Sequence, residues 1–260
     1  MSDLSRYRLL GPPTPSADLL PLIICFHGSG QSSDSPSQSW LALGHELAKT
    51  WRVLLYARGD AAKPLEAHTK ELLRYLRRVH LVGPYVLVAH SHGGTFARHL
   101  LHCRPACVVG MVLVETGQET PLPNGIEQRQ YSGHILGTKP MVVIRANSLI
   151  ALWRNLELAE AVAVTNQLAI DPTRRTVLEQ ADAEDERLKR AQLALSECSK
   201  YVAIPDCGHD VIHYRPDVVV TEVGWVLEQI VQAGGVMHGS RGGIFELVDR
   251  IRENLCTLAK

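Results

Sequence analysis

The sequence predicts an α/β fold built on an open, mostly parallel sheet, and three observations carry that prediction. Short apolar runs recur along the 260 residues, segments of helical period stand between them, and the runs end abruptly in glycine or polar residues. Several of these runs are continuously apolar rather than alternating, which suits central strands covered on both faces. The composition fits one globular domain, with 45% hydrophobic and 21% charged residues.

Residues 1–18 read as a turn-rich lead-in containing PPTPSAD, and the main domain is expected to begin close to Leu19. PLIICFHGSG supplies the first core strand. Trp40, Leu43 and Leu47 then fall on one helical face. WRVLLYA forms a second strand ahead of Arg58 and Gly59. Leu65, Leu72, Leu73, Leu76 and Val79 line the next helix, whose Arg74, Arg77 and Arg78 read as a solvated face. PYVLVAHS forms a third strand ending at Ser91, with a helix from Phe96 to Leu101 directly beyond Gly94. VVGMVLVE, PMVVIRA and KYVAIPD follow as strands, the last running into CGHD.

Two segments break this rhythm and read as a small helical lid. Residues 117–139 are polar and turn-rich, and residues 148–199 carry at least two helices. The first of these, LIALWRNLELAEAVAVTNQLA, is apolar around much of its circumference. It is expected to be covered on more than one side, by pocket elements or by a partner subunit. The main domain extends over 19–232. From residue 233, QAGGVMHGSRGG reads as a glycine-rich joint, and Ile244, Leu247, Ile251, Leu255 and Leu258 mark a terminal amphipathic helix. That stripe needs a surface to bury against, on the same chain or across a homodimer.

Lys+Arg and Asp+Glu both number 27, so the net charge of +0 gives no reason to expect nucleic acid or an anionic membrane as partner. No run approaches the length of a membrane span, and the N-terminus lacks the basic start and apolar run of a secretion signal. Cys25, Cys103, Cys107, Cys198, Cys207 and Cys256 have neither the density nor the spacing of a disulfide framework. A cytoplasmic, reduced protein acting on a small-molecule substrate is the expectation.

Within VLVAHSHGG, Ser91 stands at a strand-to-helix turn, with small residues two before it (Ala89) and two after it (Gly93). Such a turn exposes the hydroxyl where a carbonyl can approach, and a nearby base makes it a nucleophile. HGSG, residues 27–30, closes the first core strand. His209 sits in CGHD beyond the last strand. These three features, in this order, resemble the serine-nucleophile branch of the α/β-hydrolase superfamily, whose elbow is usually written G-x-S-x-G and here is A-x-S-x-G. The resemblance covers residues 19–232. It implies Ser91 as nucleophile, His209 as general base and acid, and the backbone N–H groups of Ser29 and His92 as the oxyanion hole.

The chain departs from the family at the third triad member. The usual acid follows the strand that is MVVIRA here, where only Asn147, Ser148 and Leu149 stand. An alternative within the family places it after the preceding strand, and MVLVE ends in Glu115. Glu115 is therefore the favoured acid, with Glu119 and Asp171 behind it. A second departure is Ala57, where many relatives carry aspartate in D-R-x-G-x-G-x-S, although Arg58 is retained.

His90 and His27 read as hydrogen-bonding structural residues, and His213 carries no assigned role. The spacing His90-x-His92 lacks further ligands, so no metal is expected, and HGSG is not a dinucleotide fingerprint, so no cofactor is expected. The resemblance implies hydrolysis of a carboxylic ester, thioester or lactone of a small, largely apolar substrate through a Ser91 acyl-enzyme. Trp153, Leu156 and residues 117–139 are the expected pocket walls. Two alternatives stay open: a non-hydrolytic acyltransferase or condensation/cyclisation enzyme, and a catalytically silent binding protein of the same fold.

Overall fold

Seven strands form one sheet in the computed structural model, which describes residues 6–12, 21–29, 35–60, 62–81, 83–117, 122–169 and 171–238. In chain order they are β1 (Tyr7–Leu10), β2 (Leu22–Phe26), β3 (Val53–Tyr56), β4 (Tyr85–His90), β5 (Val108–Val114), β6 (Met141–Ala146) and β7 (Ser199–Ile204). They lie side by side as β1-β3-β2-β4-β5-β6-β7, all parallel except the edge strand β1.

Side chains alternate between the two faces of this sheet, and both faces are apolar. Ile23, Cys25, Val86, Val88, Val112 and Val114 point to one side. There they meet Trp40, Leu43 and Leu47 of α1 (Gln38–Leu47) and Val219, Val223 and Val226 of α8 (Pro216–His238). Ile24, Phe26, Leu87, Ala89 and Leu113 point to the other. They meet Leu72 and Leu76 of α2 (Leu65–Arg78) and Phe96, Ala97 and Leu100 of α3 (Gly93–Cys103). Each large aliphatic or aromatic side chain buried this way contributes about 1.5–3 kcal/mol, which explains why the continuously apolar strands sit between two helical layers. Cys25, Cys103, Cys107, Cys198 and Cys207 are free thiols, and burial pushes the Cys25 thiol well above its ordinary range.

Between β5 and β6 lie a 3-10 turn (Pro123–Gly125) and α4 (Ile126–Ser132). Arg98 of α3 pins α4 down, donating to Gln130 at 3.0 Å and Glu127 at 2.6 Å, while Gln130 Nε2 donates to the Arg98 carbonyl at 2.8 Å. Between β6 and β7 come α5 (Ile150–Thr165), α6 (Pro172–Ala191) and a 3-10 turn (Gln192–Leu195), and α7 (Val211–Tyr214) precedes α8.

Three sequence expectations change. The lead-in contributes a strand: β1 pairs antiparallel with β3, Tyr7 lies opposite Tyr56, and its ring stacks on Tyr75 with centroids 3.8 Å apart. YRLL is too short to show a period, and its identity as a strand comes from its neighbour. Secondly, α8 runs on through Gly234 and Gly235 to His238, past the residue 233 boundary. Glycine costs about 1 kcal/mol relative to alanine in a helix, and the buried valine face earlier in α8 offsets that cost. The stripe from Ile244 to Leu258 lies outside the described residues.

Thirdly, the described residues of its own chain do not cover α5 on several sides, which removes pocket elements as the full cover and leaves the partner-subunit alternative open. Only Leu156 is buried, while Leu152, Leu158, Val162 and Val164 are exposed. The helix rests on α6 along one line, fixed by Arg175 of α6, which pairs with Glu160 at 2.6 Å and lies over the Trp153 ring.

Candidate active site

The chain leaves β2 toward β3 on one side and returns to β4 on the other, so the carboxyl ends of β2 and β4 flank a topological switch point, the usual place for a ligand in such sheets. HGSG leaves β2 there and Ser91 leaves β4.

Ser91 has φ +52°, a left-handed conformation uncommon for a side-chain-bearing residue. Its N–H donates to Val114 O at 3.0 Å, the last ladder bond before the chain reverses into α3. Gly93 is required by contact, since a Cβ there would stand 2.2 Å from Phe26 O. Ala89, by contrast, is fully buried among core side chains, which accommodates the methyl that departs from the usual elbow pattern.

Glu115 leaves β5 with the same left-handed turn, φ +51°, and its side chain is 0% exposed. Oε1 accepts the Ala146 N–H at 2.7 Å. Oε2 accepts a close hydrogen bond from the Ser148 hydroxyl and, at 3.1 Å, the N–H of His209 Nδ1. Ser148 Oγ is also 3.1 Å from His209 Nδ1, so the ring N–H is shared between the two oxygens. Burial alone would raise the Glu115 carboxyl. The His209 ring, the Lys189 ammonium, the Ser148 hydroxyl and the Ala146 N–H outweigh it and hold the group below its ordinary range.

The His209 loop is tethered to the elbow. His90, the residue before Ser91, donates from Nε2 to His209 O at 2.8 Å, and the two rings lie 4.9 Å apart. His90 is buried, and burial holds it below the usual histidine range, in keeping with a neutral ring that donates to a carbonyl. His209 itself is 40% exposed, with its Nδ1 edge turned inward to Glu115.

Arg58, kept where Ala57 departs, organises the HGSG loop. Its guanidinium makes a close hydrogen bond to His27 O, donates to Gly28 O at 2.8 Å, and lies over the Phe96 ring. Fixing both carbonyls on one side turns the following amides the other way. His27 Nδ1 donates to Gly28 O at 2.8 Å, and Nε2 accepts the Arg58 N–H at 3.3 Å. Burial, then the Arg58 charge, push His27 down to about 4. A Cβ on Gly28 would stand 3.0 Å from Ser91 Cβ, so this loop packs directly on the elbow.

A family model described as the Alpha/beta hydrolase family matches residues 23–222. The chain belongs to the alpha/beta hydrolase family. Two solved structures illustrate the shared fold. A thermophilic esterase from Thermogutta terrifontis is 19% identical, covering 86% of this chain and 93% of its own, with a TM-score of 0.52. A monoacylglycerol lipase from Paleococcus ferrophilus is 12% identical, covering 85% and 97%, with a TM-score of 0.55. A curated protein named "Probable transporter efuK", from Hormonema carpetanum, is 24% identical over 87% of this chain. The chain spans only 42% of the length of that relative.

Within this alpha/beta hydrolase fold, the sequence-predicted residues separate clearly. Ser29, Ser91, His92, Glu115 and His209 all lie at carboxyl ends of β2, β4, β5 and β7 or in the loops leaving them. Asp171 does not join them. It caps the start of α6, accepting the Thr173 N–H at 2.9 Å, and α6 reaches Glu115 only from its far end, about 27 Å away by helical rise. Glu119 lies outside the described residues.

Two residues at the site had no assigned role in the sequence. Ser148 stands where the sequence offers no carboxylate, and its hydroxyl joins Glu115 and His209. Lys189, 0% exposed, stands 3.4 Å from Glu115 Oε1 and makes a close ion pair with Asp185. Its signal was faint: Asp182, Asp185, Glu186 and Lys189 share one helical face, opposite a lone Arg145 in an otherwise apolar strand.

Proposed function

We propose that this alpha/beta hydrolase is a serine hydrolase that cleaves a carboxylic ester, thioester or lactone of a small, largely apolar substrate. The observation that carries the reading is the His209 Nδ1–Glu115 hydrogen bond, in a loop tied through the His209 carbonyl to His90, the residue beside a left-handed Ser91. Glu115 fixes the ring so that Nε2 is the basic nitrogen and stabilises the imidazolium formed when it takes a proton.

In this reading His209 Nε2 accepts the Ser91 hydroxyl proton as Oγ bonds to the substrate carbonyl carbon. The carbonyl π pair moves to oxygen, and the backbone N–H groups of Ser29 and His92 receive that charge. His92 supplies the N-cap of α3, where the helix's unsatisfied amides favour an anion. Collapse expels the alcohol, thiol or ring oxygen, which takes the proton from His209. A water deprotonated by His209 then attacks the acyl-Ser91 ester, and the acid leaves with Ser91 protonated again.

The esterase and lipase activities named for the two structural neighbours agree with this chemistry, and the substrate's size and polarity are our inference. The transport named for the curated relative belongs to a protein more than twice as long; among the described residues, no helix is long and apolar enough to cross a membrane.

The test is intact-protein mass after exposure to a fluorophosphonate, together with turnover of short p-nitrophenyl esters, for the parent, Ser91→Ala and His209→Ala. A single adduct lost in Ser91→Ala, with ester turnover lost in both variants, is expected. Folded parent protein that neither forms an adduct nor turns over ester would overturn the reading. An acyl adduct released by an added alcohol but not by water would turn it to acyl transfer.

A further inference from the structure

Behind Glu115 the structure continues as a chain of alternating charges. Lys189 Nζ lies between Glu115 Oε1 and Asp185 Oδ1, and Asp185 Oδ2 accepts Arg145 Nε at 3.0 Å. Arg145 also pairs with Asp182 at 2.6 Å and with Glu186 at 3.5 Å, nearer the surface. Asp182, Asp185, Glu186 and Lys189 all belong to α6, a helix inserted between β6 and β7.

A lysine with no exposed surface is costly to keep unless its charge is answered. Here two carboxylates answer it, and it in turn separates them. Without Lys189, Glu115 and Asp185 would be two like charges sharing one dry site. The next turn of the chain holds the same end of α6 in place. Thr116 donates to Gln192 Oε1 at 2.6 Å, and Gln192 Nε2 donates back to Thr116 O at 2.9 Å. Gly117, at φ +100°, gives that contact room, because a Cβ there would stand 2.4 Å from Gln192 Nε2.

We propose that Lys189 is a positioning residue for the triad, supplying from α6 the positive charge against which the buried Glu115 carboxylate is held opposite His209. The catalytic consequence rests on the serine-hydrolase reading above; the electrostatic claim does not. The helical insertion is then a buttress that completes the acid's environment, and α6 must be docked for Glu115 to serve His209. Among the described residues, the titratable and charged groups that face Glu115 are His209 and Cys207 from the loop after β7, His90 from β4, and Lys189 from α6 with Asp185 and Arg145 behind it. Of these, Lys189 is the one lysine or arginine within 4 Å of the carboxylate.

The test is a carboxyl-carbon NMR titration of full-length protein labelled with carbon-13 glutamate, the Glu115 signal being assigned by its loss in Glu115→Gln. In Lys189→Met the Glu115 midpoint should rise by about one to three pH units, the range through which an adjacent opposite charge moves a carboxylate. Lys189→Arg should keep the parent midpoint. If Lys189→Met does not fold, the Asp185→Leu, Lys189→Met double variant removes the pair together and should show a smaller rise in the same direction, because the Asp185 charge that would repel Glu115 leaves with the ammonium. In the unaltered protein, the Lys189 nitrogen-15 signal should move in step with the Glu115 titration.

The acid limb of ester turnover should shift alkaline, with activity recovered at high pH, whereas a merely structural lysine predicts uniform loss at every pH. An unmoved Glu115 midpoint in a folded variant, a uniform loss, or a Lys189 signal indifferent to Glu115 would overturn the proposal. If the parent turns over no ester at all, the hydrolase reading fails, and the titration still decides the role of Lys189.

Discussion

Replacing Glu115 by glutamine keeps the side chain's shape and removes its charge, and the surrounding contacts set the expected size of the effect. The amide has one acceptor oxygen where the carboxylate has two. Ala146 N–H and Lys189 both require an acceptor at the Oε1 position, 2.7 Å and 3.4 Å away. The amide NH2 is thus turned toward Ser148 and His209 Nδ1, which must become an acceptor. His209 then carries its proton on Nε2, the nitrogen that should receive the Ser91 proton. A neutral replacement that fixes the wrong tautomer costs about 10⁴ in kcat. Stability falls too, because Lys189 loses one of its two carboxylates. Breaking a buried pair costs about 3–5 kcal/mol, and the surviving Asp185 contact places this variant near the lower end. For a chain of this size that lowers Tm by about 6–12 °C. Kinetics on a p-nitrophenyl ester together with a thermal melt measure both quantities. A folded Glu115→Gln protein that keeps kcat within about tenfold of the parent, a barrier change of about 1.4 kcal/mol, would refute the assignment of Glu115 as the acid.

His27 gives a pH signature. Its folded-state value of about 4 lies below the ordinary 6.5, so its contribution is fully present above pH 6.5 and is lost as pH falls through about 4. The gap corresponds to about 3 kcal/mol. Urea unfolding at pH 7 and pH 4 should show this loss in the parent and not in His27→Asn; parallel slopes would remove His27 from the account. Gly93→Ala should lower ester turnover by about 100-fold while the protein remains folded, because the new Cβ at 2.2 Å from Phe26 O displaces the elbow. Unchanged turnover would show that the elbow tolerates the shift. Asp171→Ala should lose the Thr173 cap, lower Tm slightly and leave turnover intact. A collapse of kcat there would transfer the acid role from Glu115.

The parts of this molecule that were legible in its sequence are those set by local pattern. Continuous apolar runs such as LIICF and YVLVAH announce buried parallel strands because both faces need covering, and the short elbow AHSHGG carries its own steric demand. Glu115 came from the family resemblance, which allows the acid after the preceding strand, where MVLVE ends in a carboxylate. Lys189 was barely legible: within DERLKR it looks like any solvated helical charge, and only the packing of α6 against β6 removes it from water. The edge strand YRLL was hidden for a related reason, because pairing with β3 creates it rather than any period of its own. For α5 the sequence showed an apolar face that prefers cover but not what supplies it, and its own chain leaves Leu152, Leu158, Val162 and Val164 exposed.

Ser148 and Glu115 leave adjacent strands and converge on one imidazole nitrogen, each with an oxygen 3.1 Å from it. That geometry makes the two strand ends interchangeable hosts for a carboxylate. A lineage acquiring aspartate at position 148 before losing Glu115 would pass through a form with two acids, one protonated by repulsion from the other, and never through a form with none. On the serine-hydrolase reading, a carboxylate at either strand end would meet the same imidazole nitrogen, so the acid's place along the chain could change while His209 stays where it is.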